Sequence, residues 1–204
     1  MCAAARAAGL LVIADGKRGD VPVSAGAYAD ALFGVTATPW GEIGGLGADA
    51  ATVNPLMGED SLEPLIGAAE ERGAGVFVLV RTSNPGAADF LDASTDSGPL
   101  HERIARTVDR YAGRLAGSSG FSGAGAVVGA TEPRFLGRLR ELMPRAIFLL
   151  PGVGAQGGSA GELAAAFAGS GSALVTASRS VASAADPAAA AEDLREQVRS
   201  IAGD

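Results

Sequence analysis

An α/β fold built on parallel strands is what this sequence predicts, on three observations. Six short apolar runs punctuate the chain, and they are continuous rather than alternating, as in strands covered on both faces. Helix-length segments lie between them, so strand and helix alternate throughout. Polar and glycine-rich residues gather after the runs rather than before them, where α/β proteins keep their chemistry.

Taken in order, the elements justify that reading. Residues 1–6 read as the last turns of a helix with Gly9 as its C-terminal cap, and Leu10-Leu-Val-Ile-Ala14 is the first strand. A helix is expected over 22–33, then the strand Ala50-Ala-Thr-Val53. Segment 59–72 opens on Glu59-Asp60 and closes on Arg72-Gly73, the charge order and cap that a helix dipole favours. The strand Gly75-Val-Phe-Val-Leu-Val80 precedes a helix over 100–117, and Ala124-Gly-Ala-Val-Val128 precedes one over 133–142. That second helix starts on Pro133, which a first turn tolerates. Ala146-Ile-Phe-Leu-Leu150 leads to a helix over 159–168, and Ala173-Leu-Val-Thr176 to one over 187–201. Stretches 34–48 and 83–99 are expected to be irregular, and the Ala-rich 182–191 to be surface helix.

Function-like residues after every strand favour a TIM-type (β/α)8 barrel over an open doubly wound sheet, which uses only its switch point. A barrel has eight strands, whereas six are counted here and the chain starts in mid-helix. A single barrel domain over 1–204, N-terminally incomplete, is therefore the expectation.

Composition excludes several function classes. At 48% hydrophobic and 19% charged residues the chain is too apolar for intrinsic disorder, and its 204 residues can bury a real core. A net charge of −7 speaks against nucleic acid as a partner. Cys2 has no second cysteine to pair with, and one Cys with one His gives no zinc ligand set, so no metal is expected. No apolar run approaches the ~18 residues of a membrane span, and no signal peptide is read; no membrane partner and a cytoplasmic location follow as expectations.

Lys17 is the one Lys among 16 basic residues, and it sits in Asp15-Gly-Lys17-Arg-Gly-Asp20 after the first strand. Side chains at i and i+2 of an extended segment share a face, so Asp15 flanks Lys17. A carboxylate there keeps a partly buried ammonium charged and suits a Lys that delivers a proton, a task for which Arg is too weak an acid. The plain alternative is a salt bridge beside a turn. Pro151-Gly-Val-Gly-Ala-Gln-Gly-Gly158 suits a phosphate cradled by backbone N–H groups, and Ser178-Arg179 after the last strand adds a bidentate donor. Ser83-Asn-Pro-Gly86 is a turn by composition. His101 is expected far from these loops and without a catalytic role, while Trp40 and Tyr28 are expected to pack.

Six motifs, in order, resemble the orotidine 5′-phosphate decarboxylase family, most closely its bacterial type 2 branch. They are Asp15-Gly-Lys-Arg-Gly-Asp20, Thr52-Val-Asn-Pro-Leu-Met-Gly58, Arg81-Thr-Ser-Asn-Pro-Gly86, Val127-Val-Gly-Ala-Thr131, Pro151-Gly-Val-Gly-Ala-Gln-Gly-Gly158 and Ser178-Arg179. The resemblance implies a homodimeric TIM barrel without cofactor, converting orotidine 5′-monophosphate to uridine 5′-monophosphate and carbon dioxide. It makes Lys17 the proton donor, with Asp15 crowding the departing carboxylate and holding Lys17. Asp20, with Val21 and Ser24 beside it, would reach the partner subunit's site. Ser83 would contact the pyrimidine, Gln156 would bridge base and phosphate, and Arg179 with Ser178 would clamp the phosphate. The family places two further βα units before the D-x-K-x-x-D strand. Two other readings stand beside this one: a Schiff-base aldolase with Lys17 as nucleophile, and an inactive barrel fragment that needs its missing N-terminal segment.

Overall fold

The computed structural model describes residues 1–153, 160–167 and 172–203. The chain divides into two compact units, Met1–Leu79 with Arg110–Gly125, and Val80–Asp109 with Ala126 onward.

The first unit holds α1 (Cys2–Ala7), β1 (Ile13–Arg18), α2 (Pro22–Leu32), β2 (Val35–Thr38), β3 (Gly41–Gly44), β4 (Ala50–Val53), α3 (Glu59–Arg72) and most of β5 (Gly75–Arg81). Helix α3 buries Leu62, Leu65, Ile66 and Ala69, one stripe at helical spacing, and packs on α2, while Ala51 and Val53 of β4 and Val76 and Val78 of β5 are buried in the same unit. It ends where Gly73 turns left-handed at φ +65°.

The second unit takes up the end of β5, then α4 (Ala87–Leu91), β6 (Ser94–Thr95), β7 (Gly98–Pro99) and most of α5 (Leu100–Tyr111). Strand β8 (Ser122–Val128) starts in the first unit and finishes in the second, which continues with α6 (Leu136–Leu142), β9 (Ala146–Pro151), β10 (Ala173–Thr176), α7 (Arg179–Ala182) and α8 (Pro187–Ala202). Its core gathers Leu136, Leu139, Met143, Phe148, Leu150 and Leu163. Helix α8 is capped by Asp186, whose carboxylate accepts from the N–H groups of Ala188 and Ala189.

Six parallel strands form one sheet in the order β1-β4-β5-β8-β9-β10, with helices between, as the apolar runs predict. The pairings Ala50↔Gly75 in β4–β5 and Ala173↔Phe148 in β9–β10 set the register in the first unit and in the second.

Several expectations are corrected. The first strand begins at Ile13, because Ile13 pairs with Ala50; Leu10 and Leu11 precede it and are exposed. The strand then runs on through Asp15-Gly-Lys-Arg18, residues expected after it rather than within it. Stretch 34–48 contains the β2–β3 hairpin, whose ribbon is exposed and so carries no apolar run. Trp40 stands at its turn, 92% exposed rather than packed. Stretch 83–99 contains α4 and the β6–β7 ribbon. Helix α5 stops at Tyr111 in place of residue 117, where a turn from Tyr111 O to Arg114 N begins. The expected helix over 133–142 opens as 3-10 at Pro133–Phe135, and within the expected 159–168 the described helical residues, Ala160–Ala166, are 3-10, while 159 and 168 lie outside the described residues. Only Pro187 onward of the Ala-rich tail joins α8.

Candidate active site

In the first unit the chemistry-bearing residues lie at the end of β1. Ala14 pairs with Ala51 and Arg18 with Val53, so Asp15, Gly16 and Lys17 stand opposite the single residue Thr52. This is a β-bulge, a device that re-aims side chains. Lys17 takes φ +48°, the one left-handed non-glycine among the described residues, a conformation that costs roughly 1–3 kcal/mol and persists where its surroundings fix it.

The fixing groups are polar. Lys17 N–H donates to Thr52 Oγ1 at 3.0 Å, Thr52 Oγ1 donates to Asp15 Oδ1 at 2.8 Å, and Lys17 Nζ donates to the same Asp15 oxygen at 2.6 Å. Burial pushes the Asp15 carboxyl upward, but the Lys17 ammonium and the Thr52 hydroxyl outweigh it and hold the group below its ordinary value of 3.8. Asp15 is thus ionised at neutral pH, and the two side chains remain about half exposed.

Beyond the bulge, Asn54 N–H donates to Arg18 O at 2.8 Å, and a Cβ on Gly19 would meet Asn54 O at 2.4 Å. Only glycine fits that approach. Asp20 follows, accepting from Val21 N–H at 2.8 Å; Val21 is the exposed N-cap of α2, and Ser24 lies half-buried in its first turn.

In the second unit, Ser83 follows β5. Gly129 N–H donates to Arg81 O at 2.7 Å, and Thr131 Oγ1 donates to Ser83 O at 3.0 Å. Arg81 is buried and grips Asp92 through Nε and Nη2 at 2.8 and 3.1 Å, while its Nη1 donates to Thr82 O. The Arg81 guanidinium holds the Asp92 carboxyl below its ordinary value, against a smaller upward push from burial. His101 meets Leu91 O at 2.8 Å and Asp92 Oδ1 at 3.2 Å, so it belongs to the brace behind the Ser83 turn, contrary to the expectation that it lies far away. Ser178 stands at the N-cap position of α7 just past β10 without a side-chain capping bond, and Arg179 opens that helix, exposed. The glycine-rich loop is described as far as Val153, and Gln156 lies outside the described residues.

The structure therefore joins Asp15 and Lys17, sets Asp20 beside Val21, and places Ser178 next to Arg179. Thr52, Gly129 and Thr131 escaped the sequence reading as site residues. For Thr52 a signal was available: one hydroxyl inside a short strand of otherwise apolar residues must find a partner once buried.

The sequence model described as "Orotidine 5'-phosphate decarboxylase / HUMPS family" matches residues 1–194. Among curated proteins, the orotidine 5′-phosphate decarboxylase of Rhodopirellula baltica is 45% identical over 181 residues, covering 87% of this chain and 58% of that protein. The Deinococcus radiodurans protein of the same name is 45% identical over 183 residues, covering 89% and 62%. The chain thus spans about three fifths of the length of these relatives. Among solved structures, Leishmania donovani OMP decarboxylase matches with TM-score 0.75 at 36% identity, over 97% of this chain and 70% of that one. The Methanocaldococcus jannaschii orotidine 5′-monophosphate decarboxylase, complexed with the inhibitor BMP, shares the fold with TM-score 0.73 at 21% identity, over 95% and 76%.

Proposed function

The chain belongs to the orotidine 5′-phosphate decarboxylase / HUMPS family, and on that premise we propose that it serves to convert orotidine 5′-monophosphate to uridine 5′-monophosphate and carbon dioxide in pyrimidine synthesis. The observation that carries the reading is the lone Lys17, held 2.6 Å from Asp15 on a bulge at the end of a parallel strand. The bond from the ring carbon to its carboxylate breaks, the electron pair stays on the ring carbon, and carbon dioxide leaves. Lys17 Nζ gives up a proton to form the new C–H bond and is recharged from solvent. A positioned ammonium favours charge developing at that carbon before it quenches it. Asp15 adds negative charge beside the carboxylate that must leave, and it orients Lys17.

The phosphate is remote from the reacting carbon, so binding energy gained there can offset the cost of bringing a carboxylate near Asp15. Ser178 and Arg179 take that part, Gln156 bridges base and phosphate, and Ser83 contacts the pyrimidine. Asp20, Val21 and Ser24 act across a homodimer, the reaction uses no cofactor, and the protein works in the cytoplasm. No helix among the described residues is long and apolar enough to cross a membrane.

The test is Lys17→Ala, with conversion followed by chromatography and uridine monophosphate binding by calorimetry. Loss of a positioned acid lowers the rate by about 10²–10⁴-fold while nucleotide affinity stays within a few-fold. Turnover at the parent rate in that variant would refute the assignment.

A further inference from the structure

Thr52 lies in β4, is 1% exposed, and stands among Ala50, Ala51 and Val53, which are buried and apolar. Its hydroxyl uses both its capacities on β1. It accepts from the Lys17 N–H at 3.0 Å and donates to Asp15 Oδ1 at 2.8 Å, the oxygen that also takes Lys17 Nζ at 2.6 Å. The contacts close a ring that starts at the main chain of Lys17 and returns to its ammonium. One buried oxygen thus holds the lysine at both ends.

The backbone shows why such a hold is needed. Lys17 has φ +48° in a bulge where three residues oppose one, a conformation that a lysine abandons readily unless its N–H is satisfied. Valine at residue 52 would fill the same volume, yet it would leave the Lys17 N–H without its acceptor and Asp15 without one donor. Packing and hydrogen bonding can therefore be separated by a single isosteric change.

We propose that Thr52 is a positioning residue for Lys17, setting the bulge conformation and the Asp15 carboxylate so that the ammonium is aimed for proton delivery. The delivery itself rests on the function proposed above; the hold on Lys17 does not.

The sole lysine makes the test direct. Reductive ¹³C-dimethylation of the chain yields one lysine signal, whose position and width report the surroundings of Lys17. Thr52→Val is expected to move or broaden that signal, whereas Thr52→Ser leaves it near its parent position. In unlabelled protein Thr52→Val lowers kcat by about 10–100-fold with KM within about twofold, and Thr52→Ser recovers the loss to within about threefold. An unmoved lysine signal in a folded Thr52→Val chain overturns the proposal. Should that variant not fold, amide exchange of the parent decides: a Lys17 N–H that exchanges as fast as an open loop overturns the proposal, and a protected one supports it. A parent chain without turnover counts against the decarboxylase reading alone, because the lysine signal still reads the hold of Thr52.

Discussion

Gly129→Ala is the substitution through which the second unit is most sharply tested. A Cβ on Gly129 would lie 2.7 Å from Ser83 Cα, 2.8 Å from Ser83 N and 2.9 Å from Ser83 Cβ. Ordinary contact begins near 3.4 Å, so the Ser83 turn or the end of β8 must yield by roughly half an ångström or more. Overpacking of this kind costs about 1–3 kcal/mol. The yielding segment also carries the Gly129 N–H to Arg81 O bond at 2.7 Å and the Thr131 Oγ1 to Ser83 O bond at 3.0 Å. With ~1 kcal/mol at stake in each of these two bonds, the expected loss is about 3–5 kcal/mol. Urea unfolding followed by circular dichroism measures it as a lower midpoint at unchanged slope. If Ser83 contacts the base, uridine monophosphate binding weakens as well, while ribose 5-phosphate binding holds. A loss below ~0.5 kcal/mol, typical of an uninvolved surface position, would refute the packing argument. Equal weakening of both ligands would refute the role given to Ser83.

Two further outcomes can be measured on the same protein. Arg140 is buried, donates to the carbonyls of Met143, Ala146, Ala166 and Ser172, and lies 3.8 Å from the centre of the Phe148 ring, with burial pushing its guanidinium down to about 10. Arg140→Met should cost about 3–5 kcal/mol in thermal or urea melts, because buried carbonyls lose their donor; parent-like stability would contradict this. Tyr111 is pushed up to about 12, chiefly by burial and next by the charge of Glu59, from an ordinary 10.0. Since the neutral form is the one favoured by folding, its contribution is complete below pH 10 and lost as pH rises towards 12. Phenolate absorbance in the folded protein should show Tyr111 ionising in that upper window, and Tyr111→Phe should remove this part of the alkaline destabilisation.

The strands were readable where both their faces are buried. Gly75–Val80 and Ala146–Leu150 announce themselves because each position gains from being apolar. The β2–β3 hairpin was not readable, since an exposed two-stranded ribbon places no such demand on Val35 to Gly44. The last four residues of β1 are hidden for another reason: Asp15-Gly-Lys-Arg18 is polar and glycine-interrupted, and only the pairing of Arg18 with Val53 makes it strand. Asp15 and Lys17 could be named from spacing and from the scarcity of lysine. Thr52 could not be paired with them, because the partnership spans 35 residues and depends on a bulge that no local pattern encodes.

The strand order has a consequence for the making of the protein. Each strand of the parallel sheet bonds to the one that precedes it along the chain, and successive strands begin 24 to 47 residues apart, at Ile13, Ala50, Gly75, Ser122, Ala146 and Ala173. A ribosome adding about 5–20 residues per second would deliver a new strand every few seconds. Helices and short loops settle within microseconds to milliseconds. Each βα segment can therefore find the edge already waiting for it before the next emerges, so the sheet can grow in the direction of synthesis, and the bulge that carries Lys17 can be fixed as soon as Thr52 arrives.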